Sequence, residues 1–219
     1  MIGETLQKIY HQLMECYGPQ HWWPAREPFE VMVGAILTQS AAWVNVDKAI
    51  DNLRKASVLS AAQLRRLTVP ELARLIRPCG YYNAKAVKLK ALAHWLGEQY
   101  QDNLDKLFAH DIASLRQQLL SVHGIGQETA DSIILYAASK PIFVIDAYTR
   151  RILGRIGIAP DSNSYAAYQL LFMDNLPPDV RLYNEYHALL VCLGKSVCRS
   201  RPLCQRCCLD KICQFSQNN

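Results

Sequence analysis

Four cysteines near the end of the chain, Cys198-x5-Cys204-x2-Cys207-x5-Cys213, could bring four thiolates to one centre. Such a set suits a [4Fe–4S] cluster, which takes one cysteine thiolate per iron. A zinc ion held by four cysteines is the alternative, and it commonly uses two close Cys-x-x-Cys pairs where this chain has one. Cys208 or Cys192 could replace one of the four. Further back, Asp146 follows the apolar stretch 142–145 and stands where a helix should begin. A carboxylate there could simply cap that helix. It could also stabilise the cation that develops on a sugar as a glycosidic bond breaks, or orient the attacking water.

A third signal lies at Val122-His123-Gly124-Ile125-Gly126-Gln127-Glu128. Two glycines let the backbone turn tightly and approach a ligand, and the helix that follows turns unpaired N–H groups toward it. The apolar Ile125 between them can plug into the core of the hairpin. That is the pattern of a helix-hairpin-helix, which grips nucleic-acid phosphate without reading bases. The plain alternative is an αα-hairpin with a glycine turn.

The elements that must carry these residues are helical. Apolar residues recur at three- and four-residue spacing in 29–39, 45–56, 83–99, 111–122, 127–138, 147–157 and 164–175. Thr68-Val69-Pro70-Glu71 predicts a capping box, and Asp111 and Ser164 predict N-caps. Pro78-Cys79-Gly80 and Pro177-Pro178 break the chain between helices. Pro141 and the apolar residues 142–145 look β-like but stand in no alternating context, and read as a buried connector. The expected class is all-α.

Composition agrees with a globular chain: 219 residues, 50% hydrophobic and 20% charged. No run is long and apolar enough to cross a bilayer, and the first residues do not read as a signal peptide, so a soluble cytoplasmic protein is expected. The net charge is +5. From Lys195 to Cys213 the basic residues Lys195, Arg199, Arg201, Arg206 and Lys211 face one acid, Asp210, so that segment alone carries +4. Charge concentrated there reads as a footprint for a polyanion.

In order, Gly34-Ala35-Ile36-Leu37-Thr38-Gln39, Gly80-Tyr81-Tyr82-Asn83-Ala84-Lys85-Ala86, the hairpin, Val144-Ile145-Asp146 and the last cysteines resemble the helix-hairpin-helix DNA glycosylase superfamily, specifically the endonuclease III family. The resemblance spans about Phe29 to Cys213. It implies that Asp146 is the catalytic aspartate, and that Gln39 and Tyr81 enter the duplex and fill the gap left by a flipped base. Lys85 joins the DNA-binding set with Gly124, Ile125 and Gly126. It implies a nucleoid-associated, monomeric enzyme acting on double-stranded DNA that contains damaged bases.

Bifunctional members carry a nucleophilic lysine two residues after the second hairpin glycine, where this chain has Glu128. A carboxylate cannot form an imine, so hydrolysis by water without strand cleavage is expected. Trp22-Trp23-Pro24, and Trp43 four residues after Gln39, resemble the bacterial 3-methyladenine-DNA glycosylase branch. Aromatic faces would hold a positively charged alkylpurine, and Glu128 could add a hydrogen bond or a compensating charge. In the cysteine loop the first arm is one residue shorter than in endonuclease III. Gly194-Lys195 resembles the family's Gly-Arg, and Arg199, Arg201 and Arg206 would contact phosphates.

The expected organisation is two helical lobes, 25–136 with the hairpin, and 1–24 plus 137–219 with the cluster loop at 195–213. The base would enter the cleft between them. The alternatives are an endonuclease III-like glycosylase/lyase for oxidised pyrimidines, and a non-catalytic DNA-binding protein.

Overall fold

The computed structural model describes residues 2–218, and among them every regular element is helical. None of these helices is long and apolar enough to cross a membrane. The chain divides into two compact units, Met1–Pro24 with Pro141–Asn219, and Ala25–Lys140.

The first unit opens with α1, Ile2–Tyr17, whose Leu6, Ile9 and Leu13 share one face and are fully buried. The Ala25–Lys140 unit follows with α2 Pro28–Leu37, α3 Trp43–Lys55, α4 Ala61–Arg66, α5 Val69–Leu75, α6 Tyr82–Tyr100, α7 Leu104–Phe108, α8 Ile112–Ser121 and α9 Gln127–Ser132. Helix α2 is buried on all sides from Phe29 to Leu37, as its almost wholly apolar sequence requires. Its one acid, Glu30, is answered by Arg54 of α3. The Thr68–Glu71 capping box forms, with Glu71 accepting from the Thr68 amide at 2.8 Å. Asp111 caps α8 by accepting from the Ser114 amide at 2.9 Å. The segment expected as one helix over 127–138 instead leaves α-geometry after Ser132 and widens into a π-turn over Ile133–Ala137.

Past Lys140 the first unit resumes with α10 Ala147–Ile156, α11 Tyr165–Met173, α12 Val180–Ser196 and α13 Gln214–Gln217. Residues 142–145 pair with no strand and are buried. Phe143 stacks on Phe172 of α11 at 3.8 Å between centroids, with Tyr183 and Tyr186 of α12 edge-on to it. The Tyr186 hydroxyl donates to the Leu6 carbonyl at 2.9 Å, tying α12 to α1. Helix α12 is absent from the segments that spacing predicts. Residues 186–190 are buried in succession, so the polar side that marks a helical period is missing.

Candidate functional site

The hairpin between α8 and α9 is held from three sides. Ile125 plugs inward and is buried. Gly124 sits at φ +86°, a conformation open to glycine, and a Cβ there would fall 2.2 Å from Cγ of Lys88. Lys88 of α6 thus lays its stem across the turn, and its ammonium donates to Oε1 of Gln39. Gln39 donates in turn to the Gly124 carbonyl and to Thr129 Oγ1, each at 3.0 Å. Beneath the turn, Asp131 of α9 is wholly buried and paired with Arg116 of α8 at 2.6 Å, pinning the two helices together. Glu128 is exposed in the first turn of α9.

Tyr81 projects from the start of α6 with 75% of its surface exposed, and it follows Gly80 with both residues at positive φ. Lys85, one turn on, corrects the sequence expectation of a DNA contact. It is 2% exposed, and its ammonium donates to the carbonyls of Leu37 and Cys79 at 2.9 and 2.8 Å. Burial pushes its ammonium pKa down. Lys85 and Lys88 are three apart on one helix face, and the packing of α6 on α2 buries only the former.

Asp146 is the N-cap of α10, and Oδ1 accepts from the Thr149 amide at 2.7 Å. Oδ2 lies 3.8 Å from Nε2 of His187 on α12. Burial holds the His187 imidazole below its ordinary pKa, against the opposing pull of Asp146. Sequence reasoning missed His187, because packing of α12 on α10 brings the two together across forty residues of chain. Just before the first segment of α1's unit ends, Trp22 and Trp23 lie ring to ring at 5.0 Å, half-buried, with Pro24 exposed. Trp43 opens α3 in the other unit and is half-buried.

The cysteine loop is laced to α10. Arg151 donates to the carbonyls of Cys198 and Gly194 at 2.9 and 2.8 Å. Arg155 donates to Cys198 Sγ at 3.2 Å and to the Arg199 and Ser200 carbonyls at 2.6 and 3.0 Å. The Cys213 thiol donates back to the Arg155 carbonyl at 3.3 Å. These two arginines, one turn apart, order the loop while Lys195, Arg199, Arg201 and Arg206 keep their side chains exposed.

Cys198, Cys204, Cys207 and Cys213 suit an iron–sulfur cluster by their chemistry. Burial pushes the Cys207 thiol up to about 11, and the nearby Cys198, Cys213 and Cys204 add to the shift. Cys208 turns instead to Cys16 of α1, and burial with that contact pushes it up to about 12. Burial also pushes the Cys192 thiol up, with a smaller push from Cys16. Among the described residues no group of three or more Cys, His, Asp or Glu side chains stands at metal-ligating separation.

Residues 33–178 match the HhH-GPD superfamily of base excision DNA repair proteins. A Methanocaldococcus jannaschii protein, MJ1434, provisionally named a DNA repair glycosylase, is 42% identical over 96% of each chain. Endonuclease III of Escherichia coli K12 is 26% identical over 87% of this chain and 85% of its own. Among solved structures, Helicobacter pylori 3-methyladenine DNA glycosylase (MagIII) bound to 1,N6-ethenoadenine has a TM-score of 0.74 at 27% identity, covering 89% of this chain and 97% of that one. A trapped endonuclease III–DNA covalent intermediate has a TM-score of 0.86 at 20% identity over 99% and 97%, a likeness of fold.

Proposed function

The chain belongs to the HhH-GPD superfamily of base excision DNA repair proteins and is a DNA glycosylase; from that premise we propose that it is monofunctional and releases an alkylated purine such as 3-methyladenine. The observation that carries the reading is the pairing of a capped aspartate with an acid at the lyase position. Asp146 has one oxygen tied into its helix and the other facing His187, whereas Glu128 stands where an imine-forming amine would have to be.

An N3-alkylated adenine is already cationic, so the N-glycosidic bond can break with the electron pair leaving on a neutral base. Water then bonds to the sugar carbon and gives up a proton. Asp146 supports that step by its negative charge beside the sugar cation and by orienting the water. Each unit brings aromatic faces suited to a positively charged base, Trp22 and Trp23 beside Pro24 in one and Trp43 in the other, and Glu128 offers a hydrogen bond or counter-charge. Tyr81 fills the gap left in the duplex, where its exposure and left-handed backbone support such a role, and Gln39 reaches the same gap on leaving the hairpin.

Gly124, Ile125 and Gly126 hold phosphate through the hairpin backbone, and Lys195, Arg199, Arg201 and Arg206 hold it through the loop. Cys198, Cys204, Cys207 and Cys213 are the ligands of a [4Fe–4S] cluster, with Cys208 turned to Cys16 instead. When bound, that group supplies structural order to the loop.

Incubating the protein with methylated duplex DNA tests the reading. Free 3-methyladenine with an intact strand is expected. Strand incision together with a borohydride-trapped adduct would replace it with an endonuclease III-like lyase.

A further inference from the structure

Helix α10 takes Oδ1 of Asp146 for its own cap and leaves Oδ2 turned toward α12. There it meets His187 Nε2 at 3.8 Å, with the two side chains only 12% and 9% exposed. That separation is beyond hydrogen-bond length and within a small side-chain rotation of it. A carboxylate can only accept, so the ring nitrogen facing it is suited to carry the proton.

We propose that His187 is a positioning residue whose Nε2–H holds Oδ2 of Asp146 in its working orientation. The inference rests on Asp146 being the catalytic carboxylate. Burial favours the neutral imidazole against the pull of Asp146, and a neutral ring orients the carboxylate without cancelling the charge that a sugar cation requires.

The test is single-turnover base release from methylated duplex, read beside the Kd for an abasic-site duplex and the Tm. His187→Phe keeps the volume and removes the donor. It is expected to slow release roughly 10- to 100-fold with the Kd and Tm unmoved. His187→Gln, which restores an N–H, recovers part of the rate. In an Asp146→Asn background His187→Phe costs nothing further, because the two act as one unit. Should the Phe variant fail to fold, His187→Leu reads the same loss with a smaller side chain. Full-rate release by the apolar variant, or an equal loss in both backgrounds, overturns the positioning role and leaves Asp146 in place. Base release that survives the single Asp146→Asn substitution overturns the reading of Asp146, and the role of His187 with it.

Discussion

Gln39 Nε2 donates to the carbonyl oxygen of Gly124 at 3.0 Å, folding onto the hairpin the side chain expected to enter DNA. With Thr129 and Lys88 completing its bonds, Gln39 braces the turn in the free protein. A duplex-filling role requires these bonds to be exchanged for bonds to bases. Gln39→Ala is therefore expected to lower the free protein's stability by about 1 kcal/mol, the ordinary net worth of such bonds. Thermal unfolding measures that change, and an unmoved Tm would show that the brace contributes nothing.

Asp146→Asn separates chemistry from architecture. Asparagine caps helices about as well as aspartate, so the Tm should stay within a couple of degrees. Single-turnover base release should fall roughly 10²- to 10⁴-fold, because the side chain has lost its charge. An unchanged rate would remove Asp146 from the mechanism.

How far the site was legible follows from how local each part is. Asp146, Thr68–Glu71 and the glycine turn announce themselves within four residues, because capping and tight turns are local chemistry. The buried connector 142–145 was equally plain from its unbroken apolar run. Lys85 was misread because sequence gives the spacing of a helix face and not its neighbour. The packing of α2 on α6 decides that Lys85 is enclosed and Lys88 reaches the hairpin. Nothing in the local sequence marks Arg151 and Arg155, because their partners on the cysteine loop lie more than forty residues further along the chain.

Stability should fall in acid through His187. Its folded pKa lies below the ordinary 6.5, so between the two values the unfolded chain binds more protons. The stability this group contributes is complete above 6.5 and is lost as the pH falls toward the folded value. Comparing Tm at pH 7 and pH 5 should give a shallower drop for His187→Phe than for the wild type. Parallel curves would mean that His187 titrates alike in both states.

The loop predicts a salt signature. Arg201→Ala should weaken binding to undamaged duplex alike for all sequences and reduce the slope of log K against log salt by about 0.9, one phosphate contact. The purified protein should contain iron and sulfide, and Cys204→Ser should lose both with most of the duplex affinity. Zinc in place of iron in the wild type would reassign the four cysteines.

The Lys88 stem occupies the space where any larger residue at position 124 would put its first carbon. Two positions far apart in the sequence are therefore a single steric unit. Shortening Lys88 would open room at the turn, yet the left-handed backbone there would still favour glycine, so neither change alone can free the other. Among relatives that keep this packing, a larger residue at 124 should appear only alongside a short one at 88 and a rebuilt turn.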